Sequence, residues 1–115
     1  MARSLYRSVT YGLEASLALA QIVAYEGGRT DMDTVAPALS YSGVRNGAFL
    51  SRLANARLFG LVAGRSGQVV LTERGRRCLS ADPAVHRTAL AEACWAVPLF
   101  RRVLEDASGT GLGAV

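Results

Sequence analysis

Two cysteines and one histidine are the residues whose types could support nucleophilic, redox or metal chemistry in this chain. Cys78 and Cys94 lie 16 residues apart, and His86 is the only histidine among the 115 residues. A zinc site needs paired ligands such as Cys-x-x-Cys, and a disulfide framework needs a larger even set of cysteines. No residue lies in a recognisable nucleophile motif either. The sequence therefore predicts reduced structural thiols, no metal, no cofactor and no enzymatic activity.

Arginine is the other residue type with functional potential, because its guanidinium binds phosphates and base edges. All 13 basic residues are arginines, and they outweigh 9 acids to leave a net charge of +4. Between Gly43 and Arg77 the only acid is Glu73, so this segment carries 7 − 1 = +6. Its arginines are Arg45, Arg52, Arg57, Arg65, Arg74, Arg76 and Arg77. A localised positive field is typical of proteins that bind a polyanion, and it favours a nucleic acid as partner.

Length and hydropathy limit the architecture that positions these arginines. A chain of 115 residues is long enough for one domain with a core and too short for two ordinary ones. The apolar run from Tyr11 to Ala24 is interrupted by Glu14 and is too short to span a bilayer, so no membrane partner is expected. The basic and apolar start of the chain lacks a convincing signal-cleavage site and is interpreted as part of the fold. We expect one domain at 1–106 and a flexible tail at 107–115.

Hydrophobic spacing predicts three helices in the first half of the chain. The first, at 10–25, is apolar almost all round and should be covered on two sides, by its own domain and by another subunit. The second, at 31–39, has an acidic or threonine cap and ends in the turn "SYSG". The third, at 44–59, is stopped by Gly60. Its core stripe consists of Phe49, Leu53 and Ala56.

Glycines and caps organise the second half. The segment 61–72 predicts a β-hairpin whose tip is "GRSG", because Gly64 and Gly67 tolerate positive φ. Thr72 is the expected N-cap of a short helix at 73–80. Asp82-Pro83 predicts the start of a last helix that reaches residue 106, with a break at Pro98. The predicted class is mainly α with a small β-hairpin, an α+β fold.

The helix at 44–59 also has a second face, with Arg45 and Arg52 at its margin. Small side chains on this face permit close approach to another surface, and the arginines reach phosphate or guanine. The face can also be interpreted as a packed helix–helix contact, but its position inside the basic segment favours a nucleic acid. Its residues are Val44, Gly47, Ser51, Ala54, Asn55 and Leu58.

The stretch "FLSRLANARLFGLVAGRSGQVVLTERGRRCL", Phe49 to Leu79, resembles winged helix-turn-helix regulators of the MarR-like and PadR-like kind. The similar motifs are a recognition helix ending in Gly60-Leu61-Val62, a hairpin wing, and a helix starting with Leu71-Thr72-Glu73-Arg74-Gly75. The resemblance implies a winged helix with N- and C-terminal dimerisation helices. It further implies a homodimeric, cytoplasmic and nucleoid-associated transcriptional regulator that binds double-stranded DNA, either sequence-selectively or architecturally.

By the same resemblance, the recognition helix enters the major groove and the wing contacts the backbone or minor groove. The residues that this assigns to DNA are Ser40, Ser42, Arg45, Asn46, Ser51, Arg52, Asn55, Arg65 and Gln68. Regulators of this kind often bind a small-molecule effector as well. Residues that could line an effector pocket, although each is also an ordinary core type, are Tyr25, Cys78, Cys94 and Trp95.

A different class of winged helix leaves an alternative open. The dimerisation domain of small-molecule O-methyltransferases is similar in its "GL…LT..G..L" pattern followed by an acidic-Pro break. The matching positions here are Gly60-Leu61, Leu71-Thr72, Gly75, Leu79 and Asp82-Pro83. The alternative function is therefore a protein-interaction or dimerisation module that does not bind DNA.

Overall fold

The computed structural model describes the backbone of residues 2–96, with side chains from residue 12 onward. Over this range the chain has five α-helices and one small antiparallel sheet, so the α+β class predicted from the sequence is confirmed. In chain order the elements are α1 (Ala2–Tyr25), β1 (Arg29–Asp31), α2 (Met32–Ala38), α3 (Gly47–Leu58), β2 (Val62–Ala63), β3 (Gln68–Leu71), α4 (Glu73–Cys78) and α5 (Pro83–Ala96). The predicted continuation of the last helix to residue 106, its break at Pro98 and the tail at 107–115 lie outside the described residues.

The first helix is longer and more amphipathic than predicted. α1 begins at Ala2 rather than at residue 10. Between residues 12 and 25, its buried face consists of Ser16, Leu19, Ala20 and Val23. Its outward face consists of Glu14, Ala18, Gln21 and Tyr25. The prediction of a helix that is apolar almost all round was wrong in this part, because Leu19 packs in the core and most outward residues are polar.

Local capping bonds define α2 and the turn that follows it. The Asp31 carboxylate accepts a hydrogen bond from the Thr34 N–H at 2.8 Å and so caps the first turn. At the other end Ser40 adopts a left-handed φ of 68°, and the Tyr41 N–H donates to the Ala36 carbonyl at 2.9 Å. This C-terminal pattern usually has glycine at the left-handed position. Here a serine occupies it, and the chain reverses towards α3.

Capping also decides where α3 starts and stops. The Asn46 side-chain oxygen accepts from the N–H groups of Ala48 and Phe49 at 2.9 and 3.2 Å. The helix therefore starts at Gly47, and the prediction that it starts at residue 44 was wrong. Gly60, at φ 76°, closes the helix, and the Leu61 N–H donates to the Ala56 carbonyl at 3.0 Å. Glycine suits this left-handed position, and the stop predicted there is confirmed.

The sheet contains the predicted hairpin and one strand that was not predicted. Its strand order is β1-β3-β2, and both pairings are antiparallel. Val62 of β2 pairs with Leu71 of β3, and Thr30 of β1 pairs with Val69 on the other side of β3. The sequence of β1, Arg-Thr-Asp, has no apolar alternation and does not by itself predict a strand. Pairing with β3 makes it a strand.

The two remaining helices, α4 and α5, pack against each other, and α4 also contacts α1. The Thr72 hydroxyl accepts from the Gly75 N–H at 2.9 Å, which confirms Thr72 as the N-cap of α4. Asp82 caps α5 by accepting from the Ala84 N–H at 2.9 Å. The core lies between the helices and one face of the sheet. Its largest fully buried side chains are Phe49, Leu19, Leu53, Leu61, Val23, Val35, Val69, Cys78 and Ser16.

Candidate nucleic-acid interface

The cationic segment combines exposed arginines with an absence of acids. The sequence has no aspartate or glutamate between Asp33 and Glu73, so residues 34–72, which include α3 and the β2–β3 hairpin, carry only positive side-chain charge. Arg45 before α3, Arg57 in its last turn and Arg65 at the hairpin tip are exposed. Nothing within this segment neutralises their guanidinium groups. The segment is therefore an uninterrupted source of positive potential.

Arg52 has a different position from these three. Its Nε donates to the backbone oxygen of Ala15 on α1 at 2.9 Å, and its Nη1 donates to the Tyr41 hydroxyl at 3.3 Å. The guanidinium carbon also lies 5.9 Å from the centroid of the Tyr41 ring, within the range of a cation–π contact. Arg52 was predicted as a DNA contact. The structure gives it partners inside the protein, where it joins α3 to α1.

Two of the three arginines of α4, Arg74 and Arg77, have acceptors within the molecule. Arg77 donates from Nη1 and Nη2 to the two carboxylate oxygens of Glu92 on α5, at 2.7 and 2.9 Å. This hydrogen bonding holds the pKa of Glu92 below its ordinary value and raises the pKa of Arg77. Arg74 donates to the Phe59 carbonyl at 3.1 Å, and the guanidinium of Arg76 lies against Gly28. Arg74 and Arg77 are therefore committed to contacts within the fold, whereas Arg76 is exposed.

The outward face of α3, defined as Gly47, Leu50, Ser51, Ala54, Asn55 and Leu58, is more apolar than a groove-reading helix usually is. Leu50 and Leu58 are 42% and 55% exposed. Ser51 and Asn55 are polar and exposed on this face, and exposed Arg57 flanks it on the side of Leu50. The Asn55 amide nitrogen borders α1, since a Cβ at Gly12 would lie 3.9 Å from it.

The other predicted contact residues fall into two groups. Asn46 and Ser40 have local structural roles, as the N-cap of α3 and as the left-handed residue after α2. Ser42 and Gln68 are exposed, like Arg65. At the hairpin tip, the carbonyl of Gln68 would lie 2.3 Å from a Cβ on Gly64, so a side chain does not fit there.

Arg57 is not among the contacts predicted from the sequence, although its spacing from the buried residues of α3 indicates that it is exposed. It lies off the buried stripe of Phe49, Leu53 and Ala56 and seven residues after Leu50, which places it on the same side of the helix as that exposed leucine. The internal roles of Arg52 and Arg77 had no comparable signal. Their partners, Ala15 and Glu92, lie on other helices.

The two thiols and the histidine lie on α4 and α5, which pack against each other. Cys78 is buried and Cys94 is half-buried, and desolvation raises the pKa of both thiols. A His86 ring nitrogen, Nδ1, lies 2.5 Å from the Cys78 carbonyl oxygen and donates to it. Tyr25 is 86% exposed, so it does not share a buried cavity with Cys78. Within residues 2–96, no group of three or more His, Cys, Asp or Glu residues could hold a metal ion.

Comparisons of the chain with protein-family models, with curated proteins and with solved structures found no match. In the described part of the chain, no helix is sufficiently long and apolar to cross a membrane. The function is therefore inferred from the residues of this chain and their geometry.

Proposed function

We propose that this protein binds double-stranded DNA as a homodimeric winged helix and acts as a transcriptional regulator. The order of elements supports this proposal: a helix, a short strand, two helices separated by a turn, and a two-stranded hairpin. In a winged helix the third helix is the one that enters the major groove, and the hairpin contacts the adjacent backbone. In this chain those elements are α3 and β2–β3.

The observation that carries the proposal is the set of exposed guanidinium groups in the acid-free segment. Arg45, Arg57 and Arg65 are exposed, and the acids nearest in sequence are Asp33 and Glu73 at the ends of the segment. Phosphate contacts supply most of the affinity of sequence-tolerant DNA binding. The outward face of α3, by contrast, offers few donors to base edges. The proposed binding is therefore driven by the DNA backbone, with modest sequence preference.

Dimerisation belongs to the same proposal, through the helices at 10–25 and from Asp82 onward. Among the described residues of these helices, two aromatic side chains are exposed, Tyr25 at 86% and Trp95 at 44%. Aromatic residues are enriched in protein interfaces. A dimer presents two recognition helices about 34 Å apart, one turn of the duplex. Light scattering at micromolar concentration should give the mass of a dimer, and a monomer would remove this part of the proposal.

The salt dependence of duplex binding tests the DNA proposal. Fluorescence anisotropy with a labelled random-sequence duplex should show affinity that falls linearly on a log–log plot against salt concentration. Arg45→Ala, Arg57→Ala and Arg65→Ala should each reduce the slope by about 0.9, the value for one lost phosphate contact. Arg87→Ala removes an exposed arginine from α5, outside the acid-free segment, and is the matched control. It should leave the slope unchanged.

Two results would overturn the proposal. One is the absence of duplex binding at low salt. The other is equal loss of slope in Arg87→Ala and in the three test variants, which would indicate a response to net charge rather than a defined interface.

A protein-interaction module without DNA binding is the second candidate, and the outward face of α3 favours it. Exposed apolar patches often mark contacts with other proteins, and Leu50, Ala54 and Leu58 recur here at four-residue spacing. Failure to bind any duplex, combined with a dimer that Leu58→Asp dissociates, would select this function.

A further inference from the structure

The turn before α3 carries an arginine at the end of the helix where base contacts are made. Arg45 is exposed, and no described residue forms a hydrogen bond or an ion pair with its guanidinium. The Asn46 N–H donates to the Gly43 carbonyl at 3.2 Å, so the backbone around Arg45 is held between this turn and the N-cap of α3. In a helix-turn-helix, the N-terminal residues of the recognition helix contact base edges. Arg45 therefore lies next to the position of the base contacts.

The other polar side chains at this end of α3 are engaged or discriminate little between bases. Asparagine reads adenine by accepting from N6 and donating to N7, but the Asn46 side-chain oxygen already accepts from two backbone N–H groups of α3. A carboxamide oxygen has two lone pairs, so this one has no capacity left for adenine. Arg52 donates to α1 and to the turn after α2. Ser42 and Ser51 are exposed, but a hydroxyl bonds to more than one kind of base. Arg45 is therefore the residue with paired donors that remains available at this end.

We propose that Arg45 reads guanine in the major groove, by donating from its guanidinium to O6 and N7, and so gives the protein a preference for duplexes that contain G·C pairs. This inference rests on the proposed DNA binding and names its substrate class. Guanine presents two acceptors side by side in the major groove, which match the paired N–H donors of arginine, whereas adenine has a donor beside its N7. One base contact per subunit agrees with the modest sequence preference proposed above. On sites without a guanine in reach, the same side chain contacts a phosphate.

Base analogues isolate the guanine contact. Four duplexes of equal length are compared by fluorescence anisotropy at low salt: a G·C-rich duplex, the same sequence with 7-deazaguanine for guanine, the same sequence with hypoxanthine for guanine, and an A·T-rich duplex. 7-Deazaguanine keeps the pairing edge and lacks the N7 acceptor, whereas hypoxanthine keeps both major-groove acceptors and lacks the amino group in the minor groove. The wild-type protein should bind the guanine and hypoxanthine duplexes with similar affinity. It should bind the 7-deazaguanine duplex about tenfold more weakly, because a hydrogen bond from a charged donor is lost. The A·T-rich duplex should also bind about tenfold more weakly than the guanine duplex.

Two arginine variants assign the preference to a residue. Arg45→Ala should bring the ratio of guanine to 7-deazaguanine affinity close to one. Arg57→Ala is the matched control, since Arg57 is an exposed arginine in the last turn of α3, away from the end that contacts bases. It should weaken binding to all four duplexes alike and keep the ratio. Circular dichroism should show both variants folded, because both side chains are exposed.

Each contrary outcome has a distinct meaning. Equal wild-type affinity for the guanine and 7-deazaguanine duplexes would overturn this inference and leave the proposed DNA binding intact. No binding to any duplex would overturn both. If the hypoxanthine duplex binds as weakly as the A·T-rich duplex, the protein recognises the minor-groove amino group, and the major-groove contact is wrong. If Arg45→Ala keeps the wild-type ratio, another residue reads guanine, and the assignment to Arg45 is wrong.

Discussion

The Arg52 side chain on α3 donates from Nε to the backbone carbonyl of Ala15 on α1, at 2.9 Å. Its partner is an acceptor within a helix, and the contact spans 37 residues of sequence. The guanidinium also lies over the Tyr41 ring and donates to the Tyr41 hydroxyl. A residue that the sequence assigned to DNA thus holds two helices together.

Replacing Arg52 should therefore affect stability first. We expect Arg52→Ala to lower the free energy of unfolding by about 1–3 kcal/mol, since a hydrogen bond from a charged donor is lost and its partly buried acceptors remain. Arg57→Ala, on the exposed side of the same helix, should change it by less than about 0.5 kcal/mol. Urea denaturation monitored by circular dichroism measures both. Equal destabilisation by the two variants would contradict the structural role.

Gly75 is a position where any side chain collides with the backbone. A Cβ there would lie 2.2 Å from the Leu61 carbonyl oxygen and 2.7 Å from a methyl of Leu71. We expect Gly75→Ala to destabilise the protein by about 1–3 kcal/mol, as overpacking does. Gly12→Ala is the control within another helix, where the nearest atom lies at 3.9 Å. It should be neutral or stabilise by up to about 1 kcal/mol, and thermal unfolding of both variants would compare them.

The ion pair between Arg77 and Glu92 should make the stability of the protein depend on pH in the acid range. Hydrogen bonding from Arg77 lowers the pKa of Glu92 below its ordinary value of 4.5. A carboxyl group whose pKa is lower in the folded state contributes stability above its unfolded pKa and loses that contribution as the pH falls through the folded pKa. Glu92→Gln should therefore lower the unfolding temperature by a few degrees at most near neutral pH, because the pair is solvent-exposed.

The difference in unfolding temperature between Glu92→Gln and the wild type should shrink as the pH falls below 4.5 and through the folded pKa of Glu92. Glu14→Gln, which removes a carboxylate from the outward face of α1, controls for the change in net charge. Thermal melts of the three proteins across the acid range would measure the effect. A difference for Glu92→Gln that stays constant with pH would contradict the ion-pair explanation.

Both thiols should react slowly in the folded protein. Cys78 is 1% exposed, and burial raises the pKa of Cys78 and Cys94. The thiolate is the reactive form, so alkylation by iodoacetamide at neutral pH should be more than about tenfold slower than for free cysteine. Cys94→Ser leaves only the buried thiol, which should be labelled in urea and protected without it. Rapid labelling of that variant under native conditions, measured by mass spectrometry, would show that α4 and α5 separate readily.

Local patterns predicted those elements whose determinants lie within a few residues. The stripe of Phe49, Leu53 and Ala56 and the stop at Gly60 located α3, and Thr72 located the start of α4. The start of α3 was predicted three residues too early because Asn46 is its N-cap. A polar residue within a helical spacing pattern can be either a helical residue or a cap, and the pattern does not distinguish the two. β1 was missed for a different reason. Its three residues form a strand only through pairing with β3.

By itself the sequence determined the order of the helices and the hairpin, the position of Arg65 at the hairpin tip and the absence of acids from residues 34–72, because spacing, caps, glycines and composition are local properties. Only the tertiary structure decided which arginines remain available to a partner. Arg52 and Arg77 resemble Arg45 and Arg57 in sequence, but their acceptors lie on α1 and α5. A guanidinium group binds an acceptor of the same protein when the fold brings that acceptor within about 3 Å. Helix packing, and not the position of the arginine in the chain, determines which acceptor this is.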